Sequence, residues 1–213
     1  MSPSESLRER KKRQTRQLLA DTATQMFLAR GFDGVRVSEI AEACGVSEKT
    51  VFNYFPTKEA LVMDRLDGAS DALLAALADP DVAPVQAAVG VLGDELAMMM
   101  GQLAGQRSFR EGAELYRRFS TLLWSTPALR AHQNAVTERV TAEAAKVLAE
   151  RHGQDPADPE PQITAAALLA LWRVQFRSLE RRLDGAESVD QLSAVVTEDV
   201  RRAAAVLERG LAS

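Results

Sequence analysis

Three breaks in the first 60 residues constrain this chain more than any other feature. Gly31, Gly45 and the Pro56-Thr57 step divide the stretch into three segments, each with one apolar face. From about Thr15 to Arg30, Leu19, Ala23, Met26 and Phe27 recur at i, i+4, i+7 and i+8, the spacing of a helix face. Gly31 then stands where a left-handed residue commonly ends a helix. Val37, Ile40, Ala41 and Cys44 mark a second, short helix, with Ser38 near its start to cap amides. After Gly45, Ser47 caps a third helix whose anchors Val51 and Phe55 lie one turn apart. Two short helices joined by a tight turn at Cys44-Gly45-Val46 have the sequence form of a helix-turn-helix, with glycine where the turn needs a permissive backbone. Cys44 falls on the apolar face and reads as core.

The rest of the chain reads as helix throughout. Thr57-Lys58-Glu59-Ala60 opens a long fourth helix running to about Ala78, and the DPDVAP stretch at 79–84 is a turn. Five further helices are expected at roughly 83–104, 106–124, 126–152, 162–184 and 188–211. The GQDPADPEP stretch at 153–161, rich in Pro and Asp, reads as an exposed, mobile loop. No strand-like alternation and no internal repeat is visible. The fold class is therefore all-α, with about nine helices and a domain division at 1–60 and 61–213.

Charge is distributed unevenly. Residues 1–60 carry ten Lys/Arg against eight Asp/Glu, while the remainder carries sixteen against twenty-two. Six of the basic side chains fall within the first 16 residues, making Arg8–Arg16 a basic arm. A basic front on an acidic body suits a protein that docks on phosphates through one end. The single cysteine excludes an internal disulfide and a multi-cysteine metal site, which fits a reducing cytoplasm. No apolar run is long enough to span a bilayer, and the basic N-terminus lacks the apolar region of a secretory signal. Catalysis finds no support. The two histidines, His132 and His152, have no recognisable partners, and there is no Gly-rich phosphate loop or nucleophile elbow. No cofactor is expected.

In a helix-turn-helix the second helix enters the major groove while the first crosses the phosphates. With Val51 and Phe55 facing inward, helical geometry places Lys49 and Asn53 nearly opposite them. Glu48 and Phe52 flank one side of that outward face, and Thr50 and Tyr54 the other. Lysine donates to guanine, asparagine bonds adenine bidentately, and glutamate accepts from cytosine. The hydroxyls of Thr50 and Tyr54 suit phosphates, and Phe52 suits either a thymine methyl or the core.

Residues 31–60 resemble the DNA-binding signature of the TetR family. Gly31-Phe32, Ile40-Ala41, Gly45-Val46-Ser47, Thr50, Tyr54-Phe55 and Lys58-Glu59 all fall in register, and the likeness extends over roughly residues 12–62. It implies an N-terminal three-helix DNA-binding domain followed by a larger helical domain for ligand binding and dimerisation. It also implies DNA contacts from Arg36, Val37 and Ser38 at the start of the second helix. Further contacts are implied from Ser47, Glu48, Lys49, Thr50, Phe52, Asn53 and Tyr54, with Lys58 as a phosphate contact. Arg36 stands where a small hydroxyl residue is usual, and Glu48-Lys49 replaces a pair that usually contains glycine.

Members pair across a two-fold axis, and the last two helices carry suitable stripes. Ile163, Ala167, Ala170 and Val174 form one; Leu192, Val196, Ala203, Val206 and Leu207 form the other. Members also bind small apolar or amphipathic effectors in the helical body. The candidate lining here is Met99, Phe109, Tyr116, Phe119, Trp124, His132, Trp172 and Phe176. The expected function is that of a homodimeric repressor which occupies a pseudo-palindromic double-stranded DNA operator, has no membrane partner, and is released by its effector. A TetR-like activator and an effector-independent regulator are the alternatives.

Overall fold

The computed structural model describes residues 7–211, and the side chains of all of these except 64–67 and 211. Among the described residues the secondary structure is wholly helical, in nine helices. These are α1 (Leu7–Arg30), α2 (Val37–Ala43), α3 (Glu48–Tyr54), α4 (Lys58–Ala78) and α5 (Pro84–Ala104). They continue with α6 (Phe109–Ser125), α7 (Pro127–His152), α8 (Pro159–Arg182) and α9 (Val189–Leu211).

Three helix starts differ from the expected ones, that of α6 falling at Phe109 instead of near residue 106. The apolar repeat suggests that α1 begins near Thr15, but the helix starts at Leu7, so the basic arm is helical. Its first turns have no buried face, every residue from Leu7 to Gln14 being exposed, and therefore leave no periodic signal. Lys, Arg and Gln are nonetheless good helix formers. Helix α8 starts at Pro159 and takes over the end of the expected loop. Proline there occupies the first helical position, where its missing N–H leaves no bond unmade. The remaining loop is exposed and tied by its own bonds: Ala157 N donates to Asp155 Oδ1 at 2.8 Å, and Gln162 Nε2 donates to Pro156 O at 2.7 Å.

The chain divides into two compact units. The first contains the chain up to Leu66 together with Arg118–His132, a segment which the division at residue 60 assigns to the second domain. Its core is formed by Leu19 and Phe27 of α1, Ile40 of α2, Val51 of α3, Phe55 and Leu61, and it includes Leu123 and Leu129. Two turns inside it require a left-handed backbone, at Gly31 (φ 77°) and Gly45 (φ 68°). At the second, Val46 N donates back to Ala41 O at 3.0 Å, closing α2 before α3 begins.

The second unit contains Asp67–Arg117 and Gln133–Ser213. One apolar cluster gathers Leu73 and Leu77 of α4, Leu92 of α5, Leu148 of α7, Leu168 of α8 and Val200 of α9. Another joins Leu96, Met100 and Leu103 of α5 to Leu179, Leu192 and Val196. Arg151 of α7 fixes the end of α4: its guanidinium donates to Leu77 O and Val82 O, both at 2.9 Å. These are carbonyls that a helix terminus and turn would otherwise leave unpaired. No described helix is long and apolar enough to cross a membrane.

Within this unit α6 approaches the end of α5 closely at Gly112. A Cβ there would lie 2.8 Å from Leu103 O and 3.1 Å from Leu103 Cα, both rigid backbone atoms. Gly112→Ala should therefore lower folding stability by about 1–3 kcal/mol, as overpacking at a close approach does. Urea unfolding of the full chain measures this, and an unchanged midpoint would remove the close approach from the account.

Candidate nucleic-acid interface

Helix α3 has only seven residues, so its ends matter as much as its length. Ser47 caps it: Oγ accepts from Thr50 N at 3.1 Å and lies 2.8 Å from Thr50 Oγ1. Val51 and Phe55 are fully buried beneath it. Lys49 and Asn53 are exposed on the other side, as helical geometry predicts, and Glu48 and Phe52 are exposed on its flank. Phe52, at 44% exposure, belongs to the outward face and not to the core. Thr50 is half-buried with its hydroxyl in the cap, and half-buried Tyr54 packs against the core.

The approach to α2 is built around Glu39. Its Oε2 accepts from the backbone N–H of Arg36 at 2.7 Å, and its Oε1 pairs with Arg30 Nη1 at 2.8 Å. The Arg30 hydrogen bond, followed by the Arg36 backbone bond, holds the Glu39 carboxyl below its ordinary value. Arg30 also donates to Gly34 O, so one pair of side chains fixes both the end of α1 and the following turn. A groove of about 470 Å³ runs along this edge, lined by Arg30, Asp33, Gly34, Arg36, Ser38 and Glu39. Arg36 and Ser38 are exposed, while Val37 is half-buried and packs inward.

Lys58, at the start of α4, is half-buried. Its Nζ donates to Phe32 O at 2.6 Å and lies 4.3 Å from the centroid of the Phe32 ring. One of its three donors is therefore bound within the fold. Arg16, read from the sequence as the end of a basic arm, is instead half-buried against the far end of α3. The sequence hides this long-range cation contact because the accepting carbonyl lies 38 residues away.

The candidate effector residues divide between the two units. Phe119 packs against the core of the first; Trp124 is exposed there, and His132 is half-buried in the same unit. Met99, Phe109, Tyr116, Trp172 and Phe176 are all half-buried in the second unit, on α5, α6 and α8. Among them lies a residue that composition did not single out. Glu95 of α5 accepts a 2.7 Å hydrogen bond from the Trp172 indole N–H. Burial pushes its carboxyl up to about 7, against the opposing pull of that bond. Tyr116 is raised by burial, then by Glu180 and Glu95, which places both acids within electrostatic range of one phenol.

The candidate dimer residues also separate. Ile163, Ala170 and Val206 are exposed, and Ala167 and Val174 are half-buried. Ala203 and Leu207 are half-buried against the core of the second unit. Leu192 and Val196 have no exposed surface and pack against Leu179 and Leu183, so they present nothing to a second copy. These two residues face the chain's own α5 and α8, a distinction that periodicity alone does not make.

Glu95 has a measurable consequence. Its folded value lies above its ordinary 4.5, so its contribution to stability is greatest below that value and is lost as pH rises through about 7. Glu95→Gln removes this dependence. The variant should gain stability relative to the parent between pH 4.5 and 7, read by urea unfolding across that window. A pH-independent difference would mean that the carboxyl titrates normally.

Comparison with known proteins agrees with this geometry. Residues 19–63 match the tetR family of bacterial regulatory proteins, and residues 97–212 match the MftR C-terminal domain. The chain is 33% identical over 182 residues to the HTH-type transcriptional regulator TcmR of Streptomyces glaucescens, covering 84% of this chain and 78% of that one. It is 28% identical over 170 residues to the mycofactocin biosynthesis transcriptional regulator MftR of Mycobacterium tuberculosis, covering 79% and 81%. Among solved structures, NalD of Pseudomonas aeruginosa, a secondary repressor of an efflux pump, shares the fold with a TM-score of 0.51 at 21% identity, over 90% of this chain and 97% of that one. The chain thus belongs to the tetR family of bacterial regulatory proteins, and it is a DNA-binding transcription regulator rather than an enzyme.

Proposed function

We propose that the protein acts in the cytoplasm as a homodimeric repressor, occupying a pseudo-palindromic operator and leaving it when a small molecule binds the helical body. The observation that carries the DNA-reading part is the outward face of α3. Lys49 and Asn53 are exposed across the helix from buried Val51 and Phe55, and Glu48 and Phe52 are exposed along one flank of that face. That face offers the hydrogen-bonding groups and the apolar surface that base edges in a major groove require. Arg36, Ser38 and the Tyr54 hydroxyl reach phosphates beside it, together with the donors of Lys58 that Phe32 O leaves available. Ser47 and Thr50 serve mainly to hold the helix start, and Val37 contributes through its backbone.

For pairing, the face of α8 marked by Ile163 and Ala170, with Val206 of α9, remains uncovered within the chain. Small side chains on such a face let a second copy approach closely. For the effector, support comes from Met99, Phe109, Tyr116, Trp172 and Phe176, which belong to the second unit without being fully buried. An apolar or amphipathic molecule is the matching chemistry. Release follows if that molecule binds more tightly to the conformation that fits the operator less well.

Selection of bound duplexes from a random pool tests the core of this reading. The expected product is a two-fold repeat with half-sites about one DNA turn apart, roughly 34–36 Å. A single unrepeated site would overturn the dimer. The same selection with Asn53→Ala should relax preference at particular bases, whereas an equal weakening for every sequence would remove Asn53 from direct readout. Lys58→Ala should weaken binding to all duplexes alike and make the salt dependence shallower, by about 0.9 in log–log slope for each phosphate that no longer meets a cation. Altered sequence preference at an unchanged slope would exclude its phosphate role.

A further inference from the structure

Arg16 lies on α1 one turn beyond a run of exposed cations, Arg8, Arg10, Lys11, Lys12 and Arg13. Unlike them it is half-buried. Its Nη1 donates to Tyr54 O at 2.9 Å, and its guanidinium carbon lies 4.6 Å from the centroid of the Phe55 ring. Tyr54 is the last residue of α3 and Phe55 its C-cap, with an extended backbone (φ −135°, ψ 104°). We infer that Arg16 is a positioning residue for the recognition helix, setting operator affinity by fixing the C-terminal end of α3 without touching DNA.

The shortness of α3 leaves its C-terminal end dependent on donors from outside the helix. In seven residues most carbonyls near the C-terminus lack a partner within the helix. Val51 O accepts from Phe55 N at 2.9 Å, and Tyr54 O is left for a donor from outside. A cation at that end also opposes the partial negative charge of the aligned peptide dipoles. Ser47 fixes the opposite end, so the helix is held at both termini while its outward face remains free. Asn53 lies one residue before the clamped carbonyl, so a shift at Tyr54 moves its amide directly. Base-edge hydrogen bonds tolerate displacements of only about 0.5 Å. A planar guanidinium donates in its plane while stacking on a ring, whereas an ammonium offers no planar face for that stacking.

Arg16→Lys and Arg16→Met in the full chain test this. Binding of the duplex recovered by selection is measured by fluorescence anisotropy over a range of KCl, well below each variant's unfolding midpoint. Both variants should bind about tenfold more weakly, the weight of a hydrogen bond to a charged group. The salt slope should stay at its parental value, and the lysine should not rescue. Two outcomes overturn the inference. One is parental affinity in Arg16→Lys with weakened binding in Arg16→Met and a slope shallower by about 0.9 per phosphate, the signature of a direct ion pair with the DNA backbone. The other is parental affinity in both, which leaves only a structural role. A measurement on the unaltered chain covers the case in which neither variant folds. The Arg16 Nη resonances should be protected from exchange in the free protein and unmoved by saturating duplex, and a large shift or protection appearing only with DNA would overturn the inference.

Discussion

The burial of Val51 and Phe55 beneath α3 is the packing on which the DNA-reading half depends. A seven-residue helix does not persist in water by itself, because nucleation costs more than so few bonds return. It forms here because Val51 and Phe55 complete a core already supplied by Leu19, Phe27 and Ile40. The same burial decides which residues face outward, so the reading surface and the stability of its scaffold have one origin. Burying either anchor less well would misplace Lys49 and Asn53 as well as weaken the fold.

Around that core, charged side chains act as fasteners. Arg30 and Glu39 join the end of α1 to the start of α2. Lys58 joins the start of α4 to the Phe32 carbonyl, and Arg118 donates to Leu28 O at 2.8 Å from α6. Several of these cations would be assigned to DNA by composition alone. Their shared choice of backbone carbonyls shows a second use for positive charge in a unit that is short of regular length. The basic excess at the front of the sequence is thus partly structural.

The helix count, the helix-turn-helix and the outward face of α3 were legible in the sequence, because each is encoded within a turn or two of chain. Apolar spacing located Val51 and Phe55, and Gly45 marked the turn. The start of α1 was not legible, since exposed turns carry no periodic pattern. Nor was the role of Glu39, where Arg36 in place of a capping hydroxyl obscured the N-terminal signature although glutamate stands three residues on. In the second unit, periodicity found stripes on α9 without distinguishing a partner's face from the chain's own, so Leu192 and Val196 looked available when they are core. Glu95 was missed because a single acid among apolar residues gains its meaning only from the Trp172 indole on another helix.

The first unit draws Leu123 and Leu129 from a segment that returns long after α3 has ended. The chain therefore passes between its two units three times, within α4, α6 and α7. A DNA-reading module cut from the sequence as a single N-terminal piece would lack part of its own interior. Grafting this specificity onto another body, or exchanging bodies between relatives, thus requires carrying residues 118–132 along with the first 66. The recognition unit is inherited as two separated stretches of gene, and a crossover placed between them would separate a core from its missing side chains.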